Sequence, residues 1–361
     1  MTALDLHLPH LAHNLSVIRA KLKHDTRIIG VVKANAYGQG VVPIAQKLVD
    51  EGVTYLAVAY VSEGIELRAA GIRCRIMVFY PQPENFSSLL HHCLEPVLYS
   101  PSVWTLFSEI VRQNRIPNYP VHIKFNTGLN RIGFAPEEVY WLLKDGQNNA
   151  LEIVSIYSHL AASEESKPHT PTHLQWEQFE KIKAPLAAAY PHVWFHLLNT
   201  SGVFNYPEWQ MDAVRVGIGL YGYANQPEWD CQLKPVAQLR ATITQIHPLE
   251  KGDSVGYNQG WQAPNKGQIA CLPIGHADGI GRHFGHGKGA VWIHGQQAPI
   301  VGNVCMDMLM VDVTHIDCQP GDSVVFFDAE HSLSQWAQAA NTIPYELLTG
   351  LSNRIPRHIH R

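Results

Sequence analysis

Lys33 is the residue best placed for chemistry, because it follows the unbroken apolar run Ile28-Ile29-Gly30-Val31-Val32 and precedes a glycine turn at Gly38. Such a run reads as a strand buried on both faces, which puts the lysine at its carboxyl end. Burial lowers the pKa of an amine, and a neutral amine in that place is the nucleophile that carbonyl cofactors such as pyridoxal phosphate require. Tyr37, four residues on, is close enough in sequence to serve the same site. Other polar groups recur just after apolar runs. Lys124 and Arg131 flank an Asn126-Thr127-Gly128 turn, His159 closes one run, Asn199 and Thr200 follow another, and Arg215 ends a third. Thr200-Ser201-Gly202 and Gly217-Ile218-Gly219 supply hydroxyls and backbone N–H groups suited to a phosphate dianion, with Tyr37 as a further donor.

The elements that must position these groups follow from the same pattern. Short apolar runs fall at 27–33, 55–60, 75–80, 93–98, 121–125, 152–159, 193–199 and 211–217. Amphipathic stretches lie between most of them, with a helix start at Ser62 before Glu63 and Glu66, and a stop at Ala69-Ala70-Gly71. Eight strands alternating with helices predict an α/β fold, a (β/α)8 barrel of the TIM type whose ligands bind at the carboxyl ends of the strands. The aperiodic, proline-containing segment Tyr223–Glu228 reads as a linker, dividing a barrel over 1–224 from a C-terminal, mostly-β domain over 225–361. In that second part Leu239, Ala241 and Ile243 alternate with polar residues, and Met308, Met310 and Asp312 alternate with Leu309, Val311 and Val313. Turns are expected at Lys251-Gly252-Asp253 and His294-Gly295-Gln296, and a helix near 331–340.

At 361 residues the chain exceeds the usual size of one core, and 46% hydrophobic residues suffice to bury two. A net charge of -4 without basic blocks argues against a nucleic-acid or anionic-membrane surface and favours a small-molecule partner. Six cysteines without CxxC spacing suggest neither a disulfide framework nor a zinc site. The 21 histidines include no HxxxH or HExxH pair on a clear helix, so no metal is expected, and His91-His92 reads as a solvated loop. With no leader-like amino terminus and no run of about 18 apolar residues, the expectation is a cytoplasmic protein.

The octet Val31 through Gly38 (VVKANAYG) is similar to the signature around the cofactor-binding lysine of alanine racemases. The chain resembles that family over essentially its whole length. Further motifs carrying the likeness are Lys124–Gly133 (KFNTGLNRIG), Asn199-Thr200, Val214–Gly222 (VRVGIGLYG), Val255-Gly256-Tyr257, Gly302–Met308 (GNVCMDM) and Tyr345-Glu346. The resemblance implies pyridoxal 5'-phosphate held as a Schiff base on Lys33, and interconversion of L- and D-alanine by two bases. Lys33 would serve one face of the amino acid. Tyr257, from the second subunit of a head-to-tail homodimer, would serve the other. A phenol ordinarily titrates near about 10, so this role needs its anion stabilised.

By the same resemblance His159 and Arg215 form a relay, with His196 bonding Arg215 from behind, and Arg215 faces the cofactor's pyridine nitrogen. A guanidinium keeps its own protons, leaving that nitrogen unprotonated and the ring a weaker electron sink, which suppresses transamination. Arg131 matches the group that meets the substrate carboxylate, and Lys124 a lysine often carbamylated in the family, whose added charge would steady Arg131. Tyr37, Asn199, Thr200, Gly217, Ile218 and Tyr345 are expected to hold the cofactor. Met306 would contact substrate from the partner subunit, with Asp307 in support.

Three departures stand out. Gly275-His276-Ala277-Asp278-Gly279 replaces the usual Gly-Tyr-Ala-Asp-Gly, Asn303 replaces a common arginine, and Asn126 stands where aspartate is frequent. The first two line the substrate entrance in relatives, which leaves a broader amino-acid racemase as an alternative. A decarboxylase of the same architecture is a second alternative, but such enzymes oppose a glutamate to the pyridine nitrogen where this chain has Arg215. Whether D-alanine would serve peptidoglycan or alanine breakdown is not written in the chain.

Overall fold

A computed structural model describes residues 2–146, 150–165 and 169–361. They pack as two compact units, one built from residues within 11–36 and 41–233, the other from residues 2–10, 37–40 and 234–361.

The larger unit is built on eight parallel strands, Arg27–Val31, Tyr55–Val58, Arg75–Val78, Glu95–Leu98, Tyr119–Lys124, Leu151–Tyr157, Trp194–His196 and Ala213–Val216. Each overlaps one of the eight expected runs, the fifth and sixth beginning two residues and one residue before it. The first strand pairs in parallel with the last, Ile28 beside Val214. The seventh and eighth are joined by bonds from the Asp212 amide to the Phe195 carbonyl and from the Arg215 amide to the Leu198 carbonyl, both 3.0 Å, so the sheet closes as the expected barrel. Four successive residues are buried in the second, fourth and eighth strands, which is why those stretches read as continuous apolar runs. The helix after the second strand spans Val61–Ala69. Its start is set not by Ser62 but by Glu63, whose carboxylate accepts the amides of Ala59 and Tyr60 at 2.7 and 3.0 Å. His91 ends a short helix, Phe86–His91, where the sequence suggested a loop.

The smaller unit is centred on a nine-stranded sheet. Ala237–Thr242 alternates buried and half-buried residues as expected. One of its two antiparallel partners is Ala3–His7, which pairs on its other side with Arg357–His360. Both chain ends therefore lie in this sheet, tied by a buried Asp5 that accepts from Arg240 and pairs with His360 at 2.9 Å. The hairpin Ala290–Ile293 to Gln296–Val301 turns at His294 and Gly295, with φ of 50° and 75°, the left-handed pair a two-residue turn requires. The alternation read at 308–313 is incomplete. Met310 is as buried as its neighbours because it packs with Val255, Ile269 and Val301 in a separate apolar cluster. The closing helix spans Leu333–Ala339. All six cysteines are free thiols, and no helix among the described residues is long and apolar enough to cross a membrane.

Candidate active site

Lys33 follows the first barrel strand and opens a turn in which Ala34, Asn35, Ala36 and Tyr37 have φ of 52°, 53°, 51° and 54°. Four successive L-residues in the left-handed region cost about 1–2 kcal/mol each relative to a right-handed turn. Several bonds hold this conformation. The Glu63 carboxylate accepts the Ala34 amide at 2.5 Å, the Asn35 side chain accepts the Val41 amide at 2.8 Å, and the Tyr221 hydroxyl donates to the Val31 carbonyl at 2.9 Å. Strain held this firmly beside a reactive group is a mark of a functional site. The Lys33 amine is pushed below its usual pKa by burial and then by the Arg131 guanidinium, with Glu63 opposing.

Arg215 is the hub on the strand next to the one that carries Lys33. It is 3% exposed and donates to the His196 Nδ1 at 2.6 Å, the His159 Nδ1 at 3.1 Å, and the carbonyls of Ser158 and Leu197 at 2.7 and 3.0 Å. Its guanidinium also lies 4.6 Å from the centre of the Tyr157 ring, a cation–π contact. Burial, with Arg215 next, holds both His159 and His196 well below the usual histidine range, so both are neutral acceptors. The expected trio of His159, Arg215 and His196 is thus assembled.

Lys124 ends the fifth strand, buried, and donates to the Ile132 carbonyl at 2.6 Å. Burial, then Arg131 and Arg215, brings its amine down to about 7. Arg131 itself is exposed. Asn126, the departure from aspartate, folds the intervening turn by accepting the amides of Gly128 and Asn130 at 3.2 and 2.9 Å.

Asn199 caps the helix Thr200–Asn205, accepting the Gly202 amide at 2.9 Å. Thr200 Oγ1 accepts the amides of Gly217 and Gly219 at 3.3 and 3.2 Å, so these two N–H groups, read above as phosphate donors, are spent on the threonine. Its own hydroxyl hydrogen is left to donate. Ile218 opens the turn Ile218–Tyr221, and its amide has no partner within that turn.

The β unit carries its own expected residues. Tyr37 and Tyr345 approach with ring centres 5.8 Å apart, and burial raises the Tyr37 phenol. Tyr257 is 70% and Met306 59% exposed. Both line an open cavity of about 750 Å³ with Val255, Met308 and Met310. Asn303 donates to the Tyr257 carbonyl at 2.9 Å and accepts from Arg282 at 3.0 Å. Arg354 bridges Asp307, at 2.7 Å, to Asp278, at 2.6 Å. His276 is exposed, while its amide and that of Ala277 bind the carbonyls of Cys305 and Met306 at 2.9 and 3.0 Å. Glu63, Tyr221 and Ser158 escaped the sequence reading. Glu63 and Tyr221 act on backbone atoms and Ser158 through its own carbonyl, roles that carry no motif.

Two family models cover this chain: "Alanine racemase, N-terminal domain" over residues 6–225 and "Alanine racemase, C-terminal domain" over 236–359. The chain belongs to the alanine racemase family. Within the family, alanine racemase 1 of Clostridium acetobutylicum is 35% identical over 98% of this chain and 94% of its own length. The structure of alanine racemase from Clostridium difficile 630 matches with a TM-score of 0.93 at 32% identity, covering 99% of this chain and 95% of that one. That of alanine racemase from Bartonella henselae, which has covalently bound pyridoxal phosphate, matches with a TM-score of 0.90 at 28% identity, covering 100% and 99%.

The donor set fits that cofactor: a lysine of lowered pKa, a buried cation among neutral histidines, and a free threonine hydroxyl beside glycine-lined backbone. A Cβ on Gly219 would lie 2.7 Å from Thr200 Cγ2, inside that cradle. Gly219→Ala is therefore expected to weaken pyridoxal phosphate binding by about 5- to 150-fold, corresponding to an overpacking cost of about 1–3 kcal/mol. Fluorescence titration of the apoenzyme checks this, and an unchanged affinity would remove Thr200 from the phosphate site.

Proposed function

We propose that this chain is a pyridoxal-phosphate-dependent alanine racemase, acting as a cytoplasmic homodimer. The observation that carries the reading is Arg215, a permanent cation held by neutral histidines and carbonyls where a decarboxylase of this architecture would present a glutamate. When bound, pyridoxal phosphate makes the α-proton of an attached amino acid acidic. The residues to hold it are Lys33, Tyr37, His159, Asn199, Thr200, Arg215, Ile218 and Tyr345, the Gly217 amide being taken by Thr200. Lys33 Nζ takes or gives the α-proton on one face, favoured in the neutral form by its lowered pKa. Tyr257 Oη does so on the other. Arg131 receives the substrate carboxylate, and Met306 bounds the substrate from the second copy.

Exposure of Tyr257 and Met306 supports their use by another copy of the chain, since an apolar face of this kind ordinarily meets a partner. The domain division at 224/225 belongs to the same reading, with the β domain serving the partner's site. Purified protein given pyridoxal phosphate and L-alanine should approach an equal mixture of enantiomers on chiral chromatography. No D-alanine, or release of carbon dioxide from diamino acids, would overturn the reading. Comparable turnover of serine, lysine and arginine would move it to a broad racemase, for which His276 and Asn303 are the motive.

Lys124 is assigned as a carbamylated support for Arg131. The neutral amine attacks carbon dioxide, one N–H proton leaves to solvent, and a carboxylate replaces a buried cation. With the amine titrating at about 7, its reactive fraction rises as pH rises through that value. At fixed dissolved 13CO2 the carbamate carbon signal should grow between about pH 6 and 8 and vanish in Lys124→Ala. A signal absent throughout would sink the assignment.

A further inference from the structure

Behind Arg215 a file of polar side chains runs down the barrel interior, which in this fold is ordinarily filled by branched apolar residues. Its members come from successive strands. His196 Nε2 meets Ser155 Oγ at 2.9 Å, Ser155 Oγ meets His122 Nδ1 at 2.7 Å, and His122 Nε2 meets Glu95 Oε2 at 3.0 Å. Tyr55 also donates to Glu95 Oε2, and Arg75 Nε donates to Oε1 at 2.5 Å. Ser155, His122 and His196 are fully buried and Glu95 is 5% exposed, while the Arg75 side chain is half exposed.

The sense of every bond in this file follows from its ends. A guanidinium has no acceptor, so Arg215 must donate to His196 Nδ1. His196 is neutral, so its proton sits on Nε2 and goes to Ser155. The single serine hydrogen then points to His122 Nδ1. Burial, then Arg75, pushes His122 down to about 3, so it too is neutral and its remaining proton, on Nε2, goes to Glu95. Burial lifts the Glu95 carboxyl to about 8, and the three donors converging on it pull the other way. With Glu95 ionised, as the three donors around it favour, all hydrogens in the file point from Arg215 toward one acceptor.

We propose that Glu95 is a positioning residue for Arg215, acting through His122, Ser155 and His196 to keep both histidines in the Nε2–H tautomer and the His196 Nδ1 lone pair open to the guanidinium. This rests on the reading that Arg215 meets the cofactor. A glutamine at 95 cannot accept at both ends. Its amide would face either Arg75, donor against donor, or His122, forcing the opposite tautomer and sending the mismatch up the file to Arg215.

The test uses 15N-histidine-labelled holoenzyme, with His122 and His196 assigned by difference against His122→Asn and His196→Asn. Both should appear as Nε2–H tautomers in the native protein. Glu95→Gln should populate a second His122 tautomer, shift His196, and lower kcat by about 10- to 100-fold with little change in KM. Ser155→Ala, which cuts the file midway, should leave both histidines as Nε2–H tautomers, His122 held by Glu95 and His196 by Arg215, and adding Glu95→Gln should then change His122 but not His196. An Nδ1–H or doubly protonated His122 in the native protein would overturn the proposal even if Glu95→Gln failed to fold. So would a Glu95→Gln enzyme with lowered Tm but native tautomers and kcat, since Glu95 would then be a structural ion pair only. A wrong reading of Arg215 shows separately, as a cofactor spectrum unchanged by Arg215→Glu, and leaves the histidine tautomers as predicted.

Discussion

Lys33→Ala is expected to lose the visible absorbance of bound cofactor and the racemisation of alanine together, the latter by more than about 10⁴-fold, because on the reading proposed above one amine supplies both the covalent anchor and a base. The geometry makes this a sharp test. The turn that carries the lysine is held by Glu63, Asn35 and Tyr221 through backbone atoms, none of which involves the Lys33 side chain. Removing the amine should therefore leave the fold and its thermal stability close to native. Retained activity in a well-folded variant would refute the assignment. An unfolded variant would be a different finding, visible at once by circular dichroism.

Tyr257→Phe is expected to bind cofactor normally and to lose proton exchange on one face by about 10²–10⁴-fold while the other face is less affected. Deuterium wash-in from each enantiomer measures this directly, and an equal fall in both directions would remove the face-specific role. Since the Tyr257 ring is exposed and its loop is held by Asn303 through the Tyr257 carbonyl, loss of the hydroxyl should not disturb the loop. The dimer reading adds a second outcome. Hybrids of Lys33→Ala with Tyr257→Phe should regain one intact site in two, and a mixture as inactive as its parents would count against a site shared between copies.

The barrel was legible because its strands are buried on both faces and so print continuous apolar runs, each bounded by turn residues. What stayed hidden has physical reasons. Ala3–His7 pairs with Ala237–Thr242, and a five-residue strand carries no mark of a partner so far along the chain. Met310 looked like the exposed half of an alternating strand because alternation records one core, and this strand touches two. Glu95 and His122 sat inside runs read for their apolar neighbours. A polar residue in a barrel strand announces neither whether it faces inward nor what waits for it there. The residues around Lys33, His159, Thr200 and Arg215 were visible because strand ends are where this architecture places its chemistry. The left-handed turn after Lys33 was not, since Ala34-Asn35-Ala36-Tyr37 contains only one residue, Asn35, with any leaning that way.

That turn limits how this segment can be rewritten. At four adjacent positions the backbone bars valine, isoleucine and threonine, whose branched Cβ collides with the left-handed carbonyl, and leaves alanine, asparagine, glycine and a few unbranched residues. A randomised library across 34–37 would spend most of its members on chains that cannot present the lysine at all. Changes of substrate range are better sought in the β unit, around the exposed His276 and the half-buried Asn303, which lie outside the turn that carries the amine.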